Sequence, residues 1–373
     1  MQSASRTQIG RLCVSGKSAR RIAMAATISV ATAAWAAPAM SQQVIQLTAI
    51  DGYPPRSLWI KTFVDYFIPE VDKALAKSGK YKIRWNQAWG GQIVKPRHVF
   101  QGLQKGLGDI GIVTSVFHHD KVPLQAVAYV TPFVTTDPAL LARTIDELVE
   151  KFPAYKQAWA KYNQVYLTNL AVLDSYQMFF KEPIKDLAGF KGKKVGSAGI
   201  NLRYLQNTGA AGVPNSAVNY YNMIKTGTID SSMLWAEGAI TFKLVEVAPH
   251  MLKADIGTAN SKSITMNANS WKRLPKEVQD VIRKVAIGYR DYTEQKVNEI
   301  SKTAYDDFKK AGGKIIEMPQ SERERWAKTM PNVAGDWAND WEKKGYPAKA
   351  VLKSYMDTMR AAKQPILRHW DRE

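Results

Sequence analysis

Residues 183–238 constrain the fold of this chain more than any other stretch. Lys193 and Lys194 lead into a short strand over Lys194-Val195-Gly196. Ser197 is placed to cap a helix over 198–207, which Gly209 ends. The apolar run 211–213 is short and is stopped by Pro214, which predicts a second strand. A polar helix is predicted over 215–226, and Gly227-Thr228-Ile229-Asp230 turns the chain after it. Strand, helix, strand, helix is the unit of an open α/β sheet. Ligands of such sheets settle beyond the carboxyl ends of the strands, so contacts are sought after Val195 and after Asp230.

The remaining chain repeats this grammar. Residues 44–50 and 81–86 alternate apolar and polar as strands do, and 108–113 reads as a buried third strand. Between them lie an amphipathic helix over 57–78, a glycine loop over 88–94 and a helix over 96–105. A helix over 138–151 precedes a strand over 165–173, and further strands are predicted at 250–253, 262–267 and 314–318. A helical pattern from 274 to 311, ended by Gly312-Gly313, is long enough to brace two lobes. The expected fold class is α/β, with two lobes and that helix across both. Residues 43–165 plus 252–285 are assigned to lobe I, and 166–251 plus 286–373 to lobe II.

The beginning of the chain reads as an address. Residues 1–21 carry Arg6, Arg11, Lys17, Arg20 and Arg21 and no acid; 22–36 is small and apolar; Ala37-Pro38-Ala39 has the A-x-A pattern. That order is a secretory signal, 1–39, cleaved near Ala39, and the mature chain is expected in the periplasm. Arg20-Arg21 leaves the general and twin-arginine routes both open. No later run reaches the ~20 apolar residues of a membrane span. Cys13, the only cysteine, goes with the leader, which excludes disulfides, thiolate nucleophiles and cysteine-bound metals from the mature chain. The formal charge of +19 becomes +14 once the leader's five basic residues are removed. These charges are dispersed, without the basic stripe and aromatic interleaving of a nucleic-acid surface.

Four segments carry a family resemblance. Gly90-Gly91-Gln92 with Lys95, Gly102, Gly106 and Asp109 resembles a GGQ-x-x-K…G-x-x-D segment. Pro132-Phe133 resembles a PF pair, 183–195 a PI-x-D-L-x-G-L-K-G-x-K-I strand, and 225–230 a Q-T-G-x-x-D turn. In this order and spacing the chain resembles the DctP-type extracytoplasmic solute-binding proteins of TRAP transporters. The resemblance implies a two-lobed receptor without a cofactor that hands a small solute to TRAP membrane permease subunits. It departs from the family in two places. Gly196 stands where the family has an arginine that pairs with a ligand carboxylate, and 231–235 stands in place of a G-x-E-N-P-like run.

The candidate ligand contacts follow from those strand ends. Arg203 is the nearest cation to the missing arginine, either reaching back to the cleft to hold a carboxylate bidentately or lying solvated on its helix. Free N–H groups at a helix start bring in Ser197 and Asn201. Trp89, before the glycine pair, either stacks on a ligand or plugs the lobe's core edge. Tyr53, Tyr176 and Trp235 follow strand ends and with Trp89 would make an aromatic-walled pocket. Glu237 meets an ammonium group or faces water. The expected solute is therefore a carboxylate, a zwitterion or an aromatic acid. His118-His119-Asp120 is the only hint of metal, and no third ligand sits at a useful spacing. No catalytic motif is present, so an enzyme on the same scaffold lacks its chemistry. A periplasmic ligand sensor feeding a receptor kinase remains open as an alternative to transport.

Overall fold

The computed structural model describes residues 42–373; the leader expected over 1–39 lies outside them. Among the described residues no helix is long and apolar enough to cross a membrane.

Two sheets form the frame. The first has the order β2-β1-β3-β10-β4, with β1 at Gln43–Ile50, β2 at Tyr81–Ala88, β3 at Ile110–Thr114, β4 at Gln164–Leu170 and β10 at Lys262–Asn267. β1 pairs in parallel with β2 and β3, and β10 runs antiparallel between β3 and β4. The second has the order β11-β9-β5-β8-β6-β7, with β5 at Gln177–Phe180, β6 at Lys194–Ser197, β7 at Ala211–Pro214, β8 at Ser231–Leu234, β9 at His250–Lys253 and β11 at Lys314–Glu317. β6 pairs in parallel with both β7 and β8.

The chain passes from the first sheet to the second through 171–176 and returns through 254–261. These two segments pair with each other: Tyr176 N–H donates to the Gly257 carbonyl at 3.0 Å and Ile256 N–H to the Tyr176 carbonyl at 3.1 Å. Paired element-terminal segments of this kind are where hinge motion is absorbed. The crossing falls later than the expected boundary at 165/166, because β4 stays in the first sheet through Leu170 while β9 lies wholly in the second.

The third connection is the helix Lys276–Lys310, which braces both lobes. Its first half faces the first lobe, where Tyr289 Oη donates to the Trp59 carbonyl and Thr293 to Thr62. Its second half reaches the hinge and β5, where Tyr305 Oη donates to Asp174 and accepts from Gln177. Of the helices after β11, Gln320–Thr329 stays with the second lobe as expected, where Trp326 Nε1 donates to the Tyr204 carbonyl and Glu322 accepts from Leu187 N–H, but the last two do not. Trp337 Nε1 donates to the Pro123 carbonyl and Trp370 Nε1 to the Pro132 carbonyl. The helix Ala348–Ala361 also meets Pro138–Lys151, with Lys151 Nζ on Ser354 at 3.0 Å. Burying large indoles on lobe I outweighs sequence order here.

Two local differences matter for the site. Residues 199–205 form a 3-10 helix rather than the expected α-helix; its N-cap is Ala198, and no side chain caps it. Ser231–Leu234, not anticipated as a strand, is β8, buried between β5 and β6.

Candidate functional site

The carboxyl ends of β1, β3, β6 and β8 converge on a cavity of about 30 Å³ between the sheets. Tyr53, Thr114, Phe117, Ser261 and Lys262 line it from one side; Tyr176 at the hinge, Asn201, Tyr220 and Trp235 line it from the other. The space takes about two waters, so it is a head-group's worth of room. Outside it a wider recess of about 510 Å³ also draws on both lobes, with Arg56, Lys95, Arg97 and His98 facing Asn215 and Asn219. Among the described residues no acidic side chain lines either space.

The cavity holds polar atoms that the protein does not fully satisfy. Both amide atoms of Asn201, the Tyr129 hydroxyl and the Ser261 hydroxyl are buried without a hydrogen bond of good geometry, although the Tyr176 hydroxyl lies close to both Asn201 and Tyr129. All three residues line the cavity. Buried polar groups are paired in the great majority of proteins, and each orphan costs about 1–3 kcal/mol. A cluster of them around one cavity is a set of contacts awaiting a polar guest.

Asp51, at the end of β1, organises the floor. Its carboxylate accepts from Tyr53 N–H at 3.1 Å and from Trp59 Nε1 at 2.8 Å. The Lys262 ammonium lies over those two rings, 4.4 Å from the Tyr53 centroid and 3.7 Å from that of Trp59. It donates to Thr114 Oγ1 at 2.9 Å. Burial raises the Asp51 carboxyl to about 6 against the opposing pull of Lys262. Burial likewise lowers the Lys262 amine to about 7 against the pull of Asp51.

Of the sequence candidates, Tyr53, Tyr176, Asn201 and Trp235 share this cavity. Trp89, Arg203, Ser197 and Glu237 do not line it. Trp89 is core-edge packing: its ring meets Phe63 edge-on at 5.7 Å and its Nε1 donates to Gln87. Arg203 is turned away by the 3-10 helix. At three residues per turn Asn201 and Tyr204 share the face toward the first lobe, where Tyr204 Oη donates to the Tyr129 carbonyl, and Arg203 falls on another face. Ser197 is fully buried at the end of β6, one residue short of the cavity wall, with its hydroxyl unpartnered. Glu237 is a support for the wall: it accepts from Trp235 Nε1 at 2.8 Å and from Thr241 Oγ1 at 2.6 Å. Of Trp235, Arg203 and Trp89, only Trp235 reaches the shared space.

Gly196 has a steric cause. A Cβ there would lie 2.6 Å from Ile229 Cδ1 and 3.3 Å from the Tyr220 ring, so Ile229 first and Tyr220 next to it occupy the place into which a side chain on β6 would project. Gly199 marks how closely the lobes approach. Its φ is +48°, and a Cβ on it would stand 2.1 Å from the Val116 carbonyl oxygen across the cleft.

Sequence reasoning missed Lys262, Thr114, Tyr129 and Tyr220. Lys262 had a signal: a lysine opening the otherwise apolar and small strand Lys262–Asn267, every residue of which is buried. His118, the strongest residue of the metal hint, is buried against Phe100 at 4.7 Å, and burial lowers its pKa to about 3. No cluster of three His, Cys, Asp or Glu able to hold a metal occurs among the described residues.

With this geometry in hand, similarity to known proteins is informative. Residues 54–340 match the DctP family model, bacterial extracellular solute-binding protein, family 7. A solute-binding protein of Albidiferax ferrireducens is 23% identical over 149 residues, which span 39% of this chain and 44% of that relative. A TRAP solute-binding protein of Rhodoferax ferrireducens, solved with copurified benzoate, superposes with TM-score 0.75 at 17% identity over 86% of this chain and 98% of its own. A Bordetella pertussis extracytoplasmic receptor binding pyroglutamic acid gives TM-score 0.73 at 17% identity over 85% of this chain and 100% of its own. A Bordetella bronchiseptica TRAP protein with bound (R)- and (S)-mandelate gives 0.73 at 19% over 85% and 99%. At these identities the solved structures share the fold. Members of the matched family are periplasmic receptors, not enzymes. This chain belongs to the DctP family of bacterial extracellular solute-binding proteins.

Proposed function

We propose that this protein is the periplasmic receptor of a TRAP-type secondary transporter. It captures one small organic acid between its lobes and presents the closed form to membrane permease subunits. The observation that carries this reading is the cavity shared by the two sheets, with unsatisfied polar atoms on Asn201, Tyr129 and Ser261 among aromatic walls. A guest that touches both lobes binds the closed state better than the open one, which is what drives closure. The basic outer recess favours anions and raises their local concentration. The similar receptors with benzoate, pyroglutamate, mandelate, galacturonate and glucuronate have a carboxylate in common, which supports an organic acid, sugar acids included. The leader 1–39 supplies the export this role needs.

The test is equilibrium binding to the mature protein, measured by thermal shift and calorimetry against a panel of small carboxylates, amino acids, amines and sugars. At least one carboxylate is expected to bind at micromolar or tighter affinity, about −8 kcal/mol. A preference for amines or sugars, or no ligand at all, overturns the proposal.

A further inference from the structure

The family's arginine position is closed in this chain by Tyr220 and Ile229, and Arg203 does not face the cavity. One cation lines the inner cavity among the described residues, and it is Lys262. We infer that Lys262 is the carboxylate anchor of this receptor, so that a monocarboxylate is held from the first lobe by an ammonium group instead of from β6 by a guanidinium. This rests on the receptor reading above and names the group that recognises the acid.

The geometry supports it in three ways. Lys262 is 2% exposed yet makes one hydrogen bond among the described residues, to Thr114. Two of its three N–H donors therefore have no protein acceptor, and the residue borders the cavity. The ammonium is held in place, because it lies over Tyr53 and Trp59, whose positions Asp51 fixes through their N–H groups. Across the cavity the Asn201 amide offers a further donor from the second lobe, and it too lacks a hydrogen bond of good geometry. A carboxylate has two oxygens and about four acceptor sites, enough to accept from the Lys262 ammonium and the Asn201 amide together. Contact with both Lys262 and Asn201 ties the acid to both lobes. A space of about 30 Å³ suits the carboxylate head, and the rings of Tyr53, Tyr176, Tyr220 and Trp235 around it favour a short or flat apolar body.

The anchor has a proton signature. The titratable groups around Lys262 are Asp51, whose charge acts on it directly, the phenols of Tyr53, Tyr129, Tyr176 and Tyr220, which line the same cavity, and Arg97, which lines the recess outside. Burial holds all four phenols above their ordinary pKa, so they stay protonated below pH 9. An incoming carboxylate favours charged Lys262, so any proton taken up on binding near pH 8 goes to this pair. Affinity for the acid falls as pH rises from 7 to 9.

The experiment compares matched acids and amides (acetate, benzoate and mandelate against acetamide, benzamide and mandelamide) by calorimetry. Wild type, Lys262→Met, and the Asp51→Asn/Lys262→Met double variant are measured at pH 7 and 9 in two buffers of different ionisation enthalpy. The double variant removes both buried charges and keeps the fold measurable if Lys262→Met alone leaves Asp51 too costly. Wild type should prefer an acid to its amide, take up protons on binding, and lose at least about 10-fold in affinity in either variant. Unchanged acid affinity in both variants overturns the anchor and leaves the receptor intact. Equal binding of acid and amide also overturns the anchor alone. If wild type binds none of these three, the same comparison is run on the tightest carboxylate of the full panel and its amide, and a protein that binds no carboxylate of that panel overturns both readings.

Discussion

Replacing Gly199 by Ala tests closure without touching the solute. The added Cβ would stand 2.1 Å from the Val116 carbonyl oxygen, and relief to 3.0 Å needs about 0.9 Å of separation between the facing segments. That oxygen is backbone and has no rotamer to escape into. Two costs result, and they separate by state. The left-handed φ of +48° costs an alanine about 1–2 kcal/mol in open and closed forms alike. The contact with Val116 arises only when the lobes meet, and overpacking of this kind costs about 1–3 kcal/mol. Only the second enters the binding equilibrium, so Kd should rise about 5- to 150-fold. Calorimetry with whichever carboxylate binds wild type gives Kd, and urea unfolding of the unliganded variant gives the shared cost. A Kd within twofold of wild type, with the expected loss of stability, refutes closure across the Gly199–Val116 contact.

Four further outcomes follow from the geometry. Gly196→Ala should cost about 1–2 kcal/mol in urea unfolding as Ile229 shifts, while Gly196→Arg should cost more than about 4 kcal/mol unless Tyr220→Ala accompanies it. Arg203→Ala should leave solute affinity within twofold, because its helix face is turned from the cavity; a tenfold loss returns that residue to the site. Glu294 accepts from Ala171 N–H at the hinge at 2.8 Å, and burial holds its carboxyl well above the usual range. Glu294→Gln should therefore be nearly neutral in thermal unfolding and Glu294→Ala destabilising by about 1–3 kcal/mol. The last concerns pH. Lys262 titrates in the native state near 7, below its ordinary 10.5, so between those values the unfolded chain binds the extra proton and stability rises with pH. From pH 7 to 9 wild type should gain up to about 1.4 kcal/mol per unit relative to the Asp51→Asn/Lys262→Met double variant in urea midpoints, and parallel profiles would contradict it.

Much of the frame was legible because periodicity and punctuation carry it. The helix Pro138–Lys151 and the brace Lys276–Lys310 show in their apolar spacing and their stops. β8 was not legible, since Ser231-Ser232-Met233-Leu234 has no alternation and is a strand only because β5 and β6 bury it from both sides. The strand-end rule found Tyr53, Tyr176 and Trp235, and the expectation of ligand-facing groups after Val195 found Asn201. It misplaced Arg203, because the local choice between α and 3-10 geometry decides which face a side chain takes. Tyr220 and Tyr129 lie within helical or irregular segments and enter the cavity only through tertiary packing. Lys262 sits in a strand whose neighbours are named by sheet order, which local sequence does not reveal.

The central claim is that one organic acid is held between the lobes by groups from both. A crystal structure of the mature protein grown with the carboxylate that binds most tightly in calorimetry tests it most directly. The account predicts one acid per chain, its carboxylate on Lys262 from the first lobe and Asn201 from the second, with Trp235 against its body. An acid seated on the outer surface, or touching one lobe only, would contradict it.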